Sequence, residues 1–407
     1  YAAIIYKKSC AIFKEKLMKK IAIIGSGISG LVLGNLFKKK GLHFKIFEKK
    51  KELSINEGYG IQLSTNSIRI LNTVGFMDFD NDKLFNPEKI IIKSLENQKE
   101  ISNLNIDHFN ISNEKYSCLK RSNLVKFLYT QVKKYVHFDH QILRLNNISE
   151  KQVEIEFNNN SEIFDYIIIA SGLSFEFGKG IKKENDQNYF DGYYAVRGTS
   201  SENLNLIDKD NINLFLGKNS HLVSYPLDKL NSLNSIFIFR DKKENHKYFN
   251  KYRYSREGFK FLNEKIQEKL FKFNDEYKYL FPSEGSYLKW WPLYQSKSFS
   301  NSNHKSLIYI GDAFFKTLPT MAQGAGQAIE SAYEINELFD IKGEFKNINY
   351  FKGRKKRINL INRRIKFNNL IFHISNPVFI ILRNLMIKLF SKNKFFLKFY
   401  LGKIYKN

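Results

Sequence analysis

Ile21-Ala22-Ile23-Ile24-Gly25-Ser26-Gly27-Ile28-Ser29-Gly30 is the stretch that decides the fold. Four consecutive apolar residues suit a central parallel strand buried on both faces. They run into a G-x-G-x-x-G, and Leu31, Leu33, Leu36 and Phe37 then predict a helix that Gly41 ends after three lysines. Phe44-Lys45-Ile46-Phe47 predicts the next strand, with Glu48 and Lys49 at its carboxyl end. Strand, glycine turn, helix, strand and acid in that order make a βαβ dinucleotide unit. Gly25 permits the tight turn, Gly27 lets the backbone approach a pyrophosphate, and Gly30 lets helix and strand pack closely. Ser26, Ile28 and Ser29 surround the helix start, whose N–H groups and dipole favour phosphate. Glu48 stands where an acid would hydrogen-bond a ribose diol. This unit does not separate FAD from NAD.

Around that unit, bulk properties narrow the class. A chain of 407 residues with 43% hydrophobic content suits two intimately joined domains and excludes wholesale disorder. Cys10 and Cys118 cannot make a disulfide framework, so a reducing cytoplasm is the simple reading. No apolar run approaches the ~20 residues needed to span a bilayer, which predicts a soluble protein. The net charge of +26 invites a nucleic-acid reading, but from Ile341 onward seventeen Lys/Arg face one Glu, so most of the excess sits in the tail. A solvated, composition-driven surface is the expected explanation, with an acidic partner such as anionic lipid as the alternative. Residues 1–17 precede Met18 and read as translated sequence upstream of the start.

Far downstream, Ser306-Leu307-Ile308-Tyr309-Ile310 predicts another strand, followed by Gly311-Asp312-Ala313. A loop with Pro319 leads to Gln323-Gly324-Ala325-Gly326-Gln327 and a helix through Ala328, Ile329, Ala332, Ile335 and Leu338. An acid at a strand end can bind a ribityl hydroxyl. A glycine-started helix can stabilise negative charge developing at a flavin N1–C2=O.

With both halves in view, the chain resembles the FAD-dependent aromatic hydroxylases, the group A flavoprotein monooxygenases, and within them the salicylate-hydroxylase-like branch. Gly58-Tyr59-Gly60-Ile61-Gln62-Leu63-Ser64 with Asn66 is similar to that family's glycine loop beside the flavin. Arg121, followed by Leu124 and Leu128, resembles its arginine-led helix, which implies a contact with the FAD phosphate and ribityl region. Asp191-Gly192-Tyr193 through Arg197-Gly198, His221 to Leu227 with Asn234, and Lys289-Trp290 with Pro292-Leu293 resemble segments of the substrate domain. Gly311-Asp312 through Glu330 matches the Gly-Asp motif with its Pro319 and Gln323-Gly324 landmarks.

The resemblance implies an α/β fold: a three-layer Rossmann-like FAD domain from residues 18–88, 107–179 and 301–345, an inserted mixed β-sheet substrate domain from 89–106 and 180–300, and a basic C-terminal helical region, 346–407. It also implies a reaction in which NAD(P)H reduces FAD, oxygen adds at the flavin C4a, and one oxygen passes to a small phenolic or aromatic-acid substrate. The Pro319–Gly324 loop would shape the oxygen-reacting face. Three other readings stay open: a membrane-peripheral quinone-pathway hydroxylase, a flavoprotein that has lost hydroxylation, and a basic nucleic-acid-binding protein.

Two departures from the family pattern stand out. Ser171-Gly172 replaces the usual Asp-Gly, with no arginine soon after Ser174, which questions pyridine-nucleotide handling. Phe314-Phe315-Lys316 replaces Ala-His-Pro, which suggests two aromatic rings near the cofactor and a larger apolar pocket, or relaxed selection.

Other candidates are fewer. No Cys/His cluster has metal-ligand spacing, so no metal is expected. His137 and His140 read as structural. His221 and Tyr225 share one face of a strand by alternation, and either can orient a phenol and assist its deprotonation or form a packed core pair. Trp290 and Trp291 read as core aromatics. The tail from Arg354 to Arg364, and the mixed apolar and basic stretch beyond Pro377, predict C-terminal helices packing on the FAD domain, with an interfacial helix on anionic lipid as the alternative.

Overall fold

The computed structural model describes residues 18–53, 55, 59–158, 160–172, 188–201, 204–241, 245, 255–281, 289–302, 304–346 and 349–405. The upstream stretch 1–17, Gly58, the region after Ser174 and the expected domain boundary at 180 lie outside them.

The Ile21–Ile24 strand is completely buried and sits at the centre of a five-stranded sheet. Its order is Leu307–Tyr309, Tyr166–Ile169, Ile21–Ile24, Phe44–Phe47 and Val136–His137, every neighbouring pair being parallel. Period-two alternation splits the central strand between two cores. Ile21 and Ile23 pack with Leu31 and Leu33 of the Ile28–Lys40 helix, Leu128 of the Arg121–Val132 helix, and Ile329 and Ile335 of the Gln323–Leu338 helix. Ala22 and Ile24 face the other way, onto Leu145, Val153 and Ile155 of a three-stranded antiparallel sheet. Helices, parallel sheet and antiparallel sheet are the expected three layers.

The second sheet has seven strands, in the order Lys289–Ser296, Asn188–Ser200, Leu233–Arg240, Ser220–Pro226, Ile212–Gly217, Lys89–Ser94 and Glu100–Asn105. All neighbours are antiparallel except Ile212–Gly217 and Lys89–Ser94, so the sheet is mixed. One face packs Phe215, Leu222 and Phe237 onto Leu262 and Ile266 of the Arg256–Lys269 helix. The opposite face carries His221, Val223, Tyr225, Ile236 and Ile238 into a cavity. The Gly60 N–H donates to Asn234 Oδ1 at 2.6 Å and ties the first domain to this sheet.

The basic tail departs from expectation in two ways. It is not simply a solvated surface: Arg354 and Arg364 of the Tyr350–Phe372 helix, and Arg383 of the next helix, are buried. Arg354 donates to Glu330, Glu334 and Gln327, while Arg357 holds both Glu330 oxygens at 2.9 and 3.0 Å. Burial alone would raise the Glu330 carboxyl, but the Arg357 hydrogen bonds and both guanidinium charges hold it below the usual range. Packing on the FAD domain is also only half of the arrangement. The Tyr350–Phe372 helix does so, but the Pro377–Ser391 helix lies on the seven-stranded sheet, where Ile387 meets Ile92, Leu214 and Leu216. Ser391 Oγ and Ser102 Oγ share a hydrogen bond of 2.5 Å there. Among the described residues, no helix is long and apolar enough to cross a membrane.

Removing Glu330 strands two guanidinium groups. Glu330→Ala should cost about 3–5 kcal/mol, as breaking a buried pair does. Urea unfolding checks this, with a lower midpoint at unchanged slope and a milder loss for Glu330→Gln.

Candidate functional site

The glycine turn is built by contact as much as by conformation. Gly25 has φ of +108°, and a Cβ there would come within 2.9 Å of Ala170 O. At Gly30 a Cβ would come within 2.0 Å of Gly25 O, so no side chain fits where helix meets turn. Glu48 Oε2 accepts from Ser26 N at 3.0 Å and Ser26 Oγ at 2.9 Å, and Oε1 accepts from Lys50 N at 3.1 Å. The acid therefore sits beside the turn and braces it, with Lys49 exposed next to it.

Gly311 joins the two halves of the site. Its φ is +58°, its N–H donates to Ser331 Oγ at 3.0 Å, and a Cβ would lie 2.4 Å from Ser29 Oγ. The next residue, Asp312, reaches the wall of a cavity of about 1470 Å³. Burial pushes its carboxyl up, against the opposing pull of Lys316. Gly60, Ile61 and Gln62 form part of the same wall, as do Pro319, Gly324 and Ala325. Ala322 N donates to Pro319 O, and the left-handed Ala322, φ +52°, starts the Gln323–Leu338 helix. Gln323 is buried, its amide accepting from Gln327, and Gly326 packs beside Ser67. The Arg121 guanidinium stands over the Tyr59 ring at 5.6 Å, and the Arg121 backbone N–H donates to Tyr59 O.

These residues fit a dinucleotide. Neither the Ile28–Lys40 helix nor the Gln323–Leu338 helix has a side-chain cap among the described residues, leaving N-terminal N–H groups for a ligand. A Cβ at Gly27 or Gly324 would meet nothing within 4 Å, so open space lies in front of both turns.

His221 and Tyr225 both line the cavity, as strand alternation requires. His221 Nδ1 lies 2.8 Å from His373 Nε2, and His373 Nδ1 lies 2.7 Å from Asn369 O. With both rings neutral, the Nδ1–H of His373 donates to Asn369, so its Nε2 accepts from His221 Nδ1–H. His221 Nε2 is then an acceptor. Burial lowers His221 far below the ordinary value and pulls His373 down to about 4, which makes this pair a weak base. Burial raises the Tyr225 phenol, so Tyr225 acts as a hydrogen-bond donor, beside Gln62 and Tyr116.

Two sequence expectations change, and one residue of the cavity wall was not anticipated. Trp290 is a core residue as expected but also reaches the cavity, and Trp291 lines the cavity wall 4.7 Å from the Arg197 guanidinium. Phe314 and Phe315 point away from the cavity into the core under the parallel sheet, against Phe299 and Phe351. They do not enlarge the pocket; of that triplet only Lys316 lines it. Arg197, stacked at 4.3 Å on Tyr59, was not singled out from the sequence as a site residue. Cross-strand register brings Trp291 opposite Ala195, on the same strand face as Arg197, and no local signal carries that. His137 and His140 pack around Phe47, as structural residues do.

The histidine pair makes stability depend on acid. Its folded pKa values lie below the ordinary 6.5, so the unfolded chain binds more protons as pH falls. The contribution of His373 is complete above 6.5 and is lost as pH falls from there toward about 4. For His373 it is worth on the order of 3 kcal/mol. Thermal unfolding from pH 7 to 4 should show a smaller fall for His373→Gln than for the parent, and parallel curves would refute the assignment.

Comparison with known proteins agrees with this geometry. The NAD(P)-binding Rossmann-like domain family matches residues 23–57. The FAD-dependent monooxygenase ntnA of Nectria sp is 24% identical over 353 residues, covering 79% of this chain; the chain spans just under half, 45%, of that protein. Klebsiella pneumoniae HpxO complexed with FAD and uric acid superposes with a TM-score of 0.72 at 15% identity, over 95% of this chain and 97% of that one. A salicylate hydroxylase substrate complex gives 0.69 at 14% identity, over 96% of both chains. The solved structures establish the fold, and ntnA is similar in sequence over most of this chain. The chain therefore has the fold of these FAD-complexed and hydroxylase structures, and along most of its length it is similar in sequence to FAD-dependent monooxygenases.

Proposed function

We propose that this chain is an FAD-dependent monooxygenase that takes electrons from NAD(P)H and uses O2 to hydroxylate a small phenolic or aromatic-acid substrate. One observation carries the reading: Gly311 packs on Ser29, which sets Asp312 and the uncapped Gln323–Leu338 helix beside the first glycine turn, at the edge of a large cavity.

Residues 25–30 and Glu48 would hold the adenosine and pyrophosphate end, Asp312 and Arg121 the ribityl region, and Gly324 and Ala325 the ring end. When bound, FAD supplies the two-electron redox step and the activation of oxygen. The chain supplies position and charge. The N-terminus of the Gln323–Leu338 helix offers N–H donors to negative charge at the cavity wall. Arg197, between Tyr59 and Trp291, provides a fixed cation suited to a carboxylate or phenolate. Tyr225 can donate a hydrogen bond to a ring substituent, and His221 Nε2 can accept one. Apolar residues such as Val223, Ile236, Ile238 and Leu293 line the cavity and would exclude water around the reacting groups.

The purified protein should be yellow, and NAD(P)H consumption should be stimulated by some member of a phenolic-acid panel with matching oxygen uptake and hydroxylated product. A colourless protein that refuses added FAD would end this reading; oxygen uptake giving only peroxide would leave the flavin site but remove hydroxylation. Asp312→Ala should lose most of the bound flavin, read as the ratio of visible to ultraviolet absorbance, and full retention would take Asp312 out of the site.

A further inference from the structure

The Pro377–Ser391 helix is turned inside out. It buries Arg383 and Ser391 against the seven-stranded sheet and exposes Val378, Ile381, Leu382, Leu385 and Leu389, a single face at helical spacing. Ile381 is 69% exposed, Leu389 63%, and Phe395 just beyond the helix 82%. A helix facing water carries its polar residues outward, so this pattern calls for an apolar neighbour. Lys388, Lys392, Lys394 and Lys398 are exposed on or just beyond the same helix, and after Glu344 the sequence contains no Asp or Glu.

We infer that this face docks on the surface of an anionic phospholipid bilayer, with the aliphatic residues in the interfacial layer and the lysines among the headgroups. Charge decides between occupants. A second copy would set one lysine-rich, acid-free rim against another, whereas a negative surface attracts it. At fifteen residues the helix can lie in the interface but is too short to span a bilayer. Met386 and Phe390 are exposed on this helix and also line the cavity, so the docked chain would hold its cavity next to lipid. The inference does not depend on the oxygenase chemistry.

Full-length protein is floated with vesicles of phosphatidylcholine alone and of phosphatidylcholine with phosphatidylserine. Flotation with the anionic vesicles should exceed that with neutral ones by about tenfold and fall with added salt. Leu385→Glu with Leu389→Glu should abolish it, and Lys388→Glu with Lys392→Glu should weaken it severalfold. Both pairs are exposed, so far-UV circular dichroism and bound flavin should match the parent. A protein that stays in the bottom fraction, floats equally on neutral vesicles, or is unaffected by either pair overturns the proposal. So does a concentration-dependent dimer that Leu385→Glu disperses, which would assign the face to a second copy. Flotation of a colourless protein would support this inference while removing the catalytic one.

Discussion

The contact between Gly311 and Ser29 is the constraint on which the rest of the molecule depends. Two crossovers separated by some 280 residues of sequence must deliver their glycine turns to strand ends that flank Tyr166–Ile169 in the sheet. A side chain at Gly311 would collide with Ser29, and the Ser29 hydroxyl in turn donates to Ala328 O at 3.3 Å inside the second helix. Once these turns meet, the helices behind them share one core, Leu31 and Leu33 with Ile329 and Ile335. Asp312 then has only one place to be.

Burying charge does the next part of the assembly. Taking Arg354, Arg357 and Glu330 out of water is costly, and their mutual hydrogen bonds offset that cost only in one geometry. The cluster thereby fixes how the Tyr350–Phe372 helix crosses the Gln323–Leu338 helix. From that crossing follow the position of His373 against His221 and the start of the final long helix over the seven-stranded sheet. Glu330 is thus linked through a chain of packed elements to the far wall of the cavity, although it does not line it.

The departures from the family pattern take on a different meaning in three dimensions. Phe314 and Phe315 alter the core beneath the parallel sheet, where aromatic rings fill space between the sheet and Phe351. Lys316, one residue on, faces the cavity with Arg197 and Asp312. A three-residue replacement is therefore two-thirds packing and one-third site. The chain is leaving the Gly311–Ala313 turn here, with Phe314 in the right-handed helical region, so both rings turn into the core before Lys316 reaches the cavity.

Much of the geometry of the proposed nucleotide site could be read directly, because its determinants are local. Gly25 to Gly30 and Glu48 span a single βαβ unit, and the Gly-Asp turn with its glycine-started helix is similarly compact. The layers of the fold followed from the resemblance that these motifs carry. The cavity residues could not be read in this way. Arg197 with Tyr59 and Trp291, His221 with His373, and Glu330 with its two arginines each join segments far apart in the chain. Nor did the basic, apolar tail reveal which side of its last long helix faces outward. The sequence by itself determined the elements and the glycine turns, since hydrogen bonding and periodicity act over a few residues. Only the tertiary structure decided which side chains share a wall, because packing and burial of charge depend on neighbours that chain order does not specify.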